Sequence, residues 1–242
     1  MKNINILFSN VITIPFNMSS EYYESYLRPV SQSKLQSNVI YTDERRNGDI
    51  TEFKEFFRCI KMSEYPNISL ESKRRQHNLL HGDNLIIPQE ELEKIMRKNM
   101  PLPLTVEVFV LSKRSKSVTA VVTDYTSDEN KAYFPDWLVD TVGGRYGCLL
   151  RIEGIKLPPG EYVKFKALDN EFMELYDPHT IISYHIRNNF RTLTEGKEIT
   201  IAYLNRKYRF LIEETKPEPK IAIYETNLQV DLTGMISFPI NP

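Results

Sequence analysis

"YDPHTIISYHIRNNFRTLTEGKEITIAYLNRKYRFLIEETKP" (176–217) is the stretch from which the fold can be read. Asp177 can cap a helix with its side chain, and Pro178 falls at the first helical position, where a missing N–H costs nothing. Ile181, Ile182, His185, Ile186 and Phe190 then recur at three- and four-residue spacing, which predicts one amphipathic helix ending at Phe190. After it the period changes. "KEITIAYL" (197–204), "KYRFLIEE" (207–214) and "KIAIYE" (220–225) read as short strands, joined by turns at Asn205-Arg206 and Lys216-Pro217. A helix followed by short strands is a small α+β unit.

Upstream, the chain is mostly short strands. "FKEFFRCIKMS" (53–63) alternates as a strand, and residues 64–83, carrying "ESKRRQ", read as a long loop. Pro88 opens a short helix with Glu90 and Glu91 in its first turn and Leu92, Ile95 and Met96 on one face, stopped by Asn99 and Pro101. "LTVEVFVL" (104–111) and "SVTAVVTDY" (117–125) are strands across a "SKRSK" turn, and "KAYF" (131–134) is another, ended by Pro135 and a helical turn. "CLLRIEGIKL" (148–157) and "EYVKFKAL" (161–168) flank a "PPG" turn. The alternating βα rhythm of a doubly wound sheet is missing, so the fold class is β-rich (α+β): a barrel-like domain, then a small α+β domain.

Composition bounds the function. The 242 residues carry 31 Lys+Arg against 32 Asp+Glu, and this near-neutral balance argues against a sequence-independent nucleic-acid binder, which needs a basic stripe. Mean hydropathy is -0.40, and no apolar run approaches the ~18 residues of a membrane-spanning helix. Two cysteines, Cys59 and Cys148, build no disulfide framework or Cys-rich zinc site and point to a reducing compartment. Glycine is scarce, 9 residues, and Gly143, Gly144, Gly147, Gly154 and Gly160 crowd one window. Residues 1–52 read as an N-terminal extension, partly disordered or leader-like, with seven Ser and five Asn in the first forty. Its opening is a poor secretory signal because Asn5, Ser9 and Asn10 interrupt the apolar run.

The search for chemistry returns little. No phosphate-binding glycine loop exists, since "GGRYG" (143–147) lacks the Lys-Ser/Thr that would follow it. His77 and His81 share a helical spacing, but the H-E-x-x-H glutamate and a third ligand are missing, so no metal is expected. There is no G-x-S-x-G elbow, and both cysteines lie in apolar strand patterns. His185 belongs to an apolar helix face, while His179 reads as exposed. No catalytic residue and no cofactor are expected. A binding module remains.

Several segments, in order, carry a family resemblance: "GDNLIIPQEELEKI" (82–95), "AYFPDWLVDTV" (132–142), "GCLLRIEGIKLPPGEYVKF" (147–165), the opening stretch 176–217, and "IAIYETNLQVDL" (221–232). Together they resemble the N-terminal domain of the ubiquitin fusion degradation protein 1 family over about residues 53–233, and are similar in plan to the N domain of the valosin-containing AAA ATPase. The resemblance implies a double-psi β-barrel (53–168), a small β-roll subdomain with a helix (169–233) and a tail (234–242). It also implies an adaptor that binds ubiquitin or polyubiquitin and works with a nuclear protein localisation partner subunit. Such an adaptor delivers ubiquitinated proteins to the ATPase for proteasomal degradation, including ER-associated degradation, in cytoplasm and nucleus and at the cytosolic face of the ER. Two alternatives stand beside it: an organelle-directed paralogue in protein translocation, and a scaffold domain that does not bind ubiquitin. An enzyme on the same barrel would need an Asp-Thr/Ser-Gly or a self-processing Gly-Ser, and neither occurs. Family proteins continue into a tail with F-x-G-x-G type motifs, which "LTGMISFPINP" (232–242) does not contain, so a truncated or divergent form is expected.

Ubiquitin presents an apolar patch ringed by basic residues, so its binders offer exposed apolar side chains with an acidic rim. "LDNEFMELYD" (168–177) has that composition, and Asp169, Glu171, Phe172, Met173 and Glu174 are the candidate ubiquitin-binding residues. Tyr203, Tyr208 and Phe210 with Arg206 form a second cluster that reads as strand core and turn, and Trp137 reads as core.

Overall fold

The structure, a computed structural model, describes residues 12–13, 47–204 and 206–234. Expectations for the rest of the extension, for Asn205 and for residues 235–242 fall outside the described residues. The chain divides into two units between Leu157 and Pro158. Strand β1 (Ile12–Thr13) belongs to the second unit and is taken up there.

The first unit holds β2 (Lys54–Lys61), α1 (Lys73–His81), β3 (Asn84–Pro88), α2 (Gln89–Arg97), β4 (Leu104–Phe109), β5 (Val118–Ser127), β6 (Lys131–Phe134), α3 (Asp136–Thr141) and β7 (Leu149–Gly154). Six of its strands close a barrel in the order β2-β6-β3-β5-β4-β7, with β2-β6 and β3-β5 parallel and the other pairs antiparallel. This is the β-rich barrel architecture expected. Alternation of side chains along β2, β4, β5 and β7 sends Phe57, Cys59, Val106, Val108, Ala120, Val122, Leu150 and Ile152 into one core, all nearly inaccessible.

Three expectations need correction in this unit. Residues 64–83 are not a loop. Within them Ser72 accepts the Arg75 amide at 3.3 Å and starts α1, Leu79 and Asn78 are buried, and the Gly82 amide closes the last turn on Asn78 O at 2.9 Å. The first turn of α1 is basic, against the helix dipole, and tertiary contact overrides that local bias: the Arg75 guanidinium is held between Glu71 at 3.0 Å and Asp124 at 2.8 Å. On α2, Ile95 is buried and Leu92 partly so, but Met96 is exposed and Glu91 takes the inward place. The folded unit also starts before Phe53. Ile50 sits in the barrel core, and Gly154 lets the 50–53 turn cross β7, since a Cβ there would meet Ile50 O at 1.9 Å.

The second unit holds β8 (Tyr162–Ala167), a 3-10 turn (Asn170–Phe172), α4 (Pro178–Asn189), β9 (Thr192–Thr194), β10 (Glu198–Tyr203), β11 (Arg206–Lys216), β12 (Lys220–Ala222) and β13 (Gln229–Thr233). Its main sheet runs β1-β13-β8-β11-β10, with β13 parallel to β8, and β9 pairs with β12 separately. The α4 helix is capped as the sequence predicts: the Asp177 carboxylate accepts the Thr180 amide at 3.1 Å, with Pro178 in the first turn. Strand β8 was expected in the barrel. It pairs instead with β11 and β13, so the subdomain boundary lies near residue 157 rather than 168. Alternation alone cannot say which sheet a strand joins.

Candidate functional site

The candidate segment 168–177 leaves β8, passes through the 3-10 turn and enters α4, running beside β11. The Asp169 carboxylate accepts the Arg209 amide at 2.6 Å and its guanidinium at 3.1 Å. Partial burial works to raise the Asp169 pKa, but the bonds from Arg209 outweigh it and hold the carboxyl below its ordinary value. Glu171 pairs with the Arg206 guanidinium. Two acids of the expected rim are therefore paired with arginines of β11, Glu171 remaining exposed, while Glu174 is a further exposed acid and Asp177 a cap whose pKa is lowered by its bonds from Thr180.

Phe172 corrects the sequence reading most directly. It is fully buried, edge-on to Tyr208 at 5.2 Å and to Phe210 at 4.7 Å between ring centroids, so it is core and presents nothing to a partner. Met173 is half-buried and lies against Gly234, where a Cβ would come within 2.5 Å of its Cγ. Tyr208 and Phe210 are core, as read from the strand pattern, and Tyr203 is half-buried. His179, expected to be exposed, is buried, and burial lowers its pKa. Trp137, in the first unit, packs at the margin of the barrel core and donates to Gly82 O at 2.8 Å. His77 and His81 lie on α1 with rings 4.8 Å apart, and among the described residues no three metal-ligating side chains gather.

What the surface offers near 168–177 is a different set of residues. Among the described residues of this unit the large exposed apolar side chains are Tyr176 (105 %), Leu204 (74 %) and Tyr184 (62 %). Two contacts link the segments that carry them. Glu171–Arg206 ties the segment to the β10–β11 turn carrying Leu204, and the buried His185 ring lies edge-on to Tyr184 at 5.9 Å and to Tyr203 at 5.8 Å, linking α4 to the same turn. His185 is also within 3.3 Å of Asn189 Nδ2. The one sequence signal for this set is that Tyr184 falls outside the apolar stripe 181, 182, 185, 186 of α4. These three exposed apolar side chains, with the exposed acids Glu174 and Asp177 flanking Tyr176 along the chain, are the candidates for binding.

Comparison with known proteins agrees with this division. The family described as ubiquitin fusion degradation protein UFD1, N-terminal subdomain 1, matches residues 53–158, and N-terminal subdomain 2 matches residues 159–235. The matched boundary falls beside the structural one after Leu157. Ubiquitin fusion degradation protein 1 of Saccharomyces cerevisiae is 28% identical over 189 residues, 77% of this chain and 50% of that protein. The human ubiquitin recognition factor in ER-associated degradation protein 1 is 26% identical over 187 residues, 77% of this chain and 58% of its own length. A homologue from Dictyostelium discoideum is 28% identical over 158 residues, covering 65% and 47%. The chain thus spans about half the length of these relatives. With both subdomain matches falling in order on the barrel and on the sheet-and-helix unit, the chain belongs to the ubiquitin fusion degradation protein 1 family, in the part that forms its N-terminal domain.

Proposed function

We propose that this chain is a non-enzymatic adaptor that binds ubiquitin or ubiquitin chains and helps recruit ubiquitinated proteins to the valosin-containing AAA ATPase, with its nuclear protein localisation partner subunit. The pathway would be proteasomal degradation, including that of ER proteins handled at the cytosolic face. The names of the relatives, one a ubiquitin recognition factor in ER-associated degradation, support the pathway.

The observation that supports the binding role is the exposure of Tyr176, Tyr184 and Leu204 together with that of the acids Glu174 and Asp177, which flank Tyr176 along the chain. Exposed apolar side chains accompanied by acids suit an apolar patch ringed by basic residues. The test is a titration of isotope-labelled protein with ubiquitin and ubiquitin chains followed by NMR. Shifts should concentrate at residues 174–184 and 204, and Tyr184→Ala with Leu204→Asp should weaken binding at least tenfold while leaving the amide spectrum dispersed. Binding that leaves these residues unmoved would reject the surface, and no binding of any chain would favour a scaffold role.

A further inference from the structure

The chain has two cysteines, and the fold brings them face to face. Strands β2 and β7 run antiparallel with Arg58 opposite Leu149, so the next step along both strands sets Cys59 opposite Cys148. Backbone bonds carry the pairing through that step: the Cys59 amide donates to Cys148 O at 2.8 Å, and the Gly147 amide donates to Cys59 O at 2.8 Å. Gly147 has φ +82° and Cys148 closes a turn on Arg145 O at 3.1 Å, the geometry of a one-residue bulge whose first position needs glycine. Both side chains pack on the same barrel core, Cys59 fully buried and Cys148 half-buried. Directly opposed residues of an antiparallel pair have Cα atoms about 4.5–5.5 Å apart. A disulfide accepts roughly 4.4–6.8 Å.

We infer that Cys59 and Cys148 are a reversible oxidation site that closes into a cross-strand disulfide when the protein meets a peroxide. Oxidation starts at Cys148, which is reachable from solvent and whose sulfur receives the Arg145 amide at 3.4 Å. Burial, then the neighbouring Cys148 and Asp136, push the Cys59 thiol up to about 12, so Cys59 stays protonated near neutrality and is not the first to react. In the first step the peroxide O–O bond breaks, the Cys148 sulfur takes one oxygen and loses two electrons, and the other oxygen leaves as water. In the second the Cys59 sulfur attacks the Cys148 sulfenic sulfur, the S–O bond breaks, and that oxygen departs as water with the Cys59 proton. A thiol reductant reverses the bond by exchange. The closed form would fasten the Gly147 turn to β2.

The experiment uses the full chain, reduced, desalted and exposed under native conditions to dilute hydrogen peroxide. Remaining thiols are then alkylated and the protein is digested with trypsin without reductant. Cleavage after Arg58, Lys61, Arg145 and Arg151 leaves one cysteine in peptide 59–61 and the other in 146–151. The expected product is these two peptides joined, with the loss of two hydrogens, and separated again by dithiothreitol. Cys59→Ser should instead leave a sulfenic acid at Cys148 that dimedone traps, and Cys148→Ser should leave Cys59 alkylated only after unfolding. Recovery of both wild-type cysteines alkylated would overturn the inference. So would Cys148 found as sulfinic acid or in an intermolecular bond without the joined peptides.

Discussion

The ring of Phe172 stands perpendicular to that of Phe210, with centroids 4.7 Å apart and an interplanar angle of 90°. This pair anchors the 3-10 turn leaving β8 to β11, and Phe210 is itself edge-on to Phe165 at 6.5 Å, so three strand and turn segments share one aromatic core. Phe172→Ala should therefore cost about 3–5 kcal/mol, the usual range for a truncated buried Phe. Denaturant unfolding followed by far-UV circular dichroism measures it. Glu174→Lys, at an exposed position, should stay within about 0.5 kcal/mol. A change as small for Phe172→Ala would contradict its place in the core.

Two ion pairs should behave very differently. Arg75 and Asp124, 2.8 Å apart, are each only 11 % exposed, whereas Arg206 and Glu171 are 65 % and 68 % exposed. Arg75→Ala removes the counter-charge of a nearly buried carboxylate, which keeps only the Tyr125 amide and the Thr126 hydroxyl, and should destabilise the barrel by about 3 kcal/mol. A double-mutant cycle on Arg206 and Glu171 should return at most about 1 kcal/mol, falling with added salt. Equal effects at the two sites would refute the difference in burial.

Gly154→Ala tests the close crossing of the 50–53 turn. The added Cβ would lie 1.9 Å from Ile50 O, and the obstacle is backbone, so the turn must move and Ile50 must leave the core. We expect a loss of about 2 kcal/mol or more, with deletion of residues up to 52 costing the wild type a similar amount and the variant far less. A neutral substitution would mean that residues 50–53 do not pack on β7.

Much of this fold is legible in the sequence because the relevant signals are local. The Asp177 cap, the Pro178 start and the α4 stripe 182, 185, 186 can be read without knowing any neighbour, and β2 and β7 of the barrel announce themselves by alternation, whereas β3, buried along its whole length, carries no such signal. What failed depended on partners distant in sequence. The α1 helix needs Asp124 to hold Arg75, and the place of β8 is set by bonds to β11 and β13, which begin about 40 and 60 residues later in the chain. The exposure of side chains in the candidate segment was not legible. Composition singled out 168–177 as a candidate, yet which of its side chains faces water depends on Tyr208 and Phe210 enclosing Phe172, and the exposure of Leu204 depends on the β10–β11 turn.

His179 makes the stability of the second unit depend on pH in a defined direction. It is buried in the first turn of α4, and its Nδ1 has no hydrogen-bond partner among the described residues. Burial lowers its pKa, with the charges of Asp231 and Asp177 acting against that effect without reversing it. In the unfolded chain a histidine titrates near 6.5. As pH falls below that value the unfolded state takes up a proton before the folded state does. Stabilisation fully present above about pH 6.5 is thus lost as pH drops through the lower folded value. Asp169 and Asp177, held below the ordinary carboxylate range, give up their contribution only at lower pH. Hydrogen exchange at the amides of β8 and β13 should accordingly show protection falling between about pH 7 and pH 5, after correction for intrinsic rates, and His179→Gln should flatten that slope. His77, also lowered by burial, belongs to the first unit, so His77→Gln should flatten the slope for barrel amides and leave β8 and β13 unchanged. An unaltered slope at β8 and β13 in His179→Gln would show that His179 is not the group responsible.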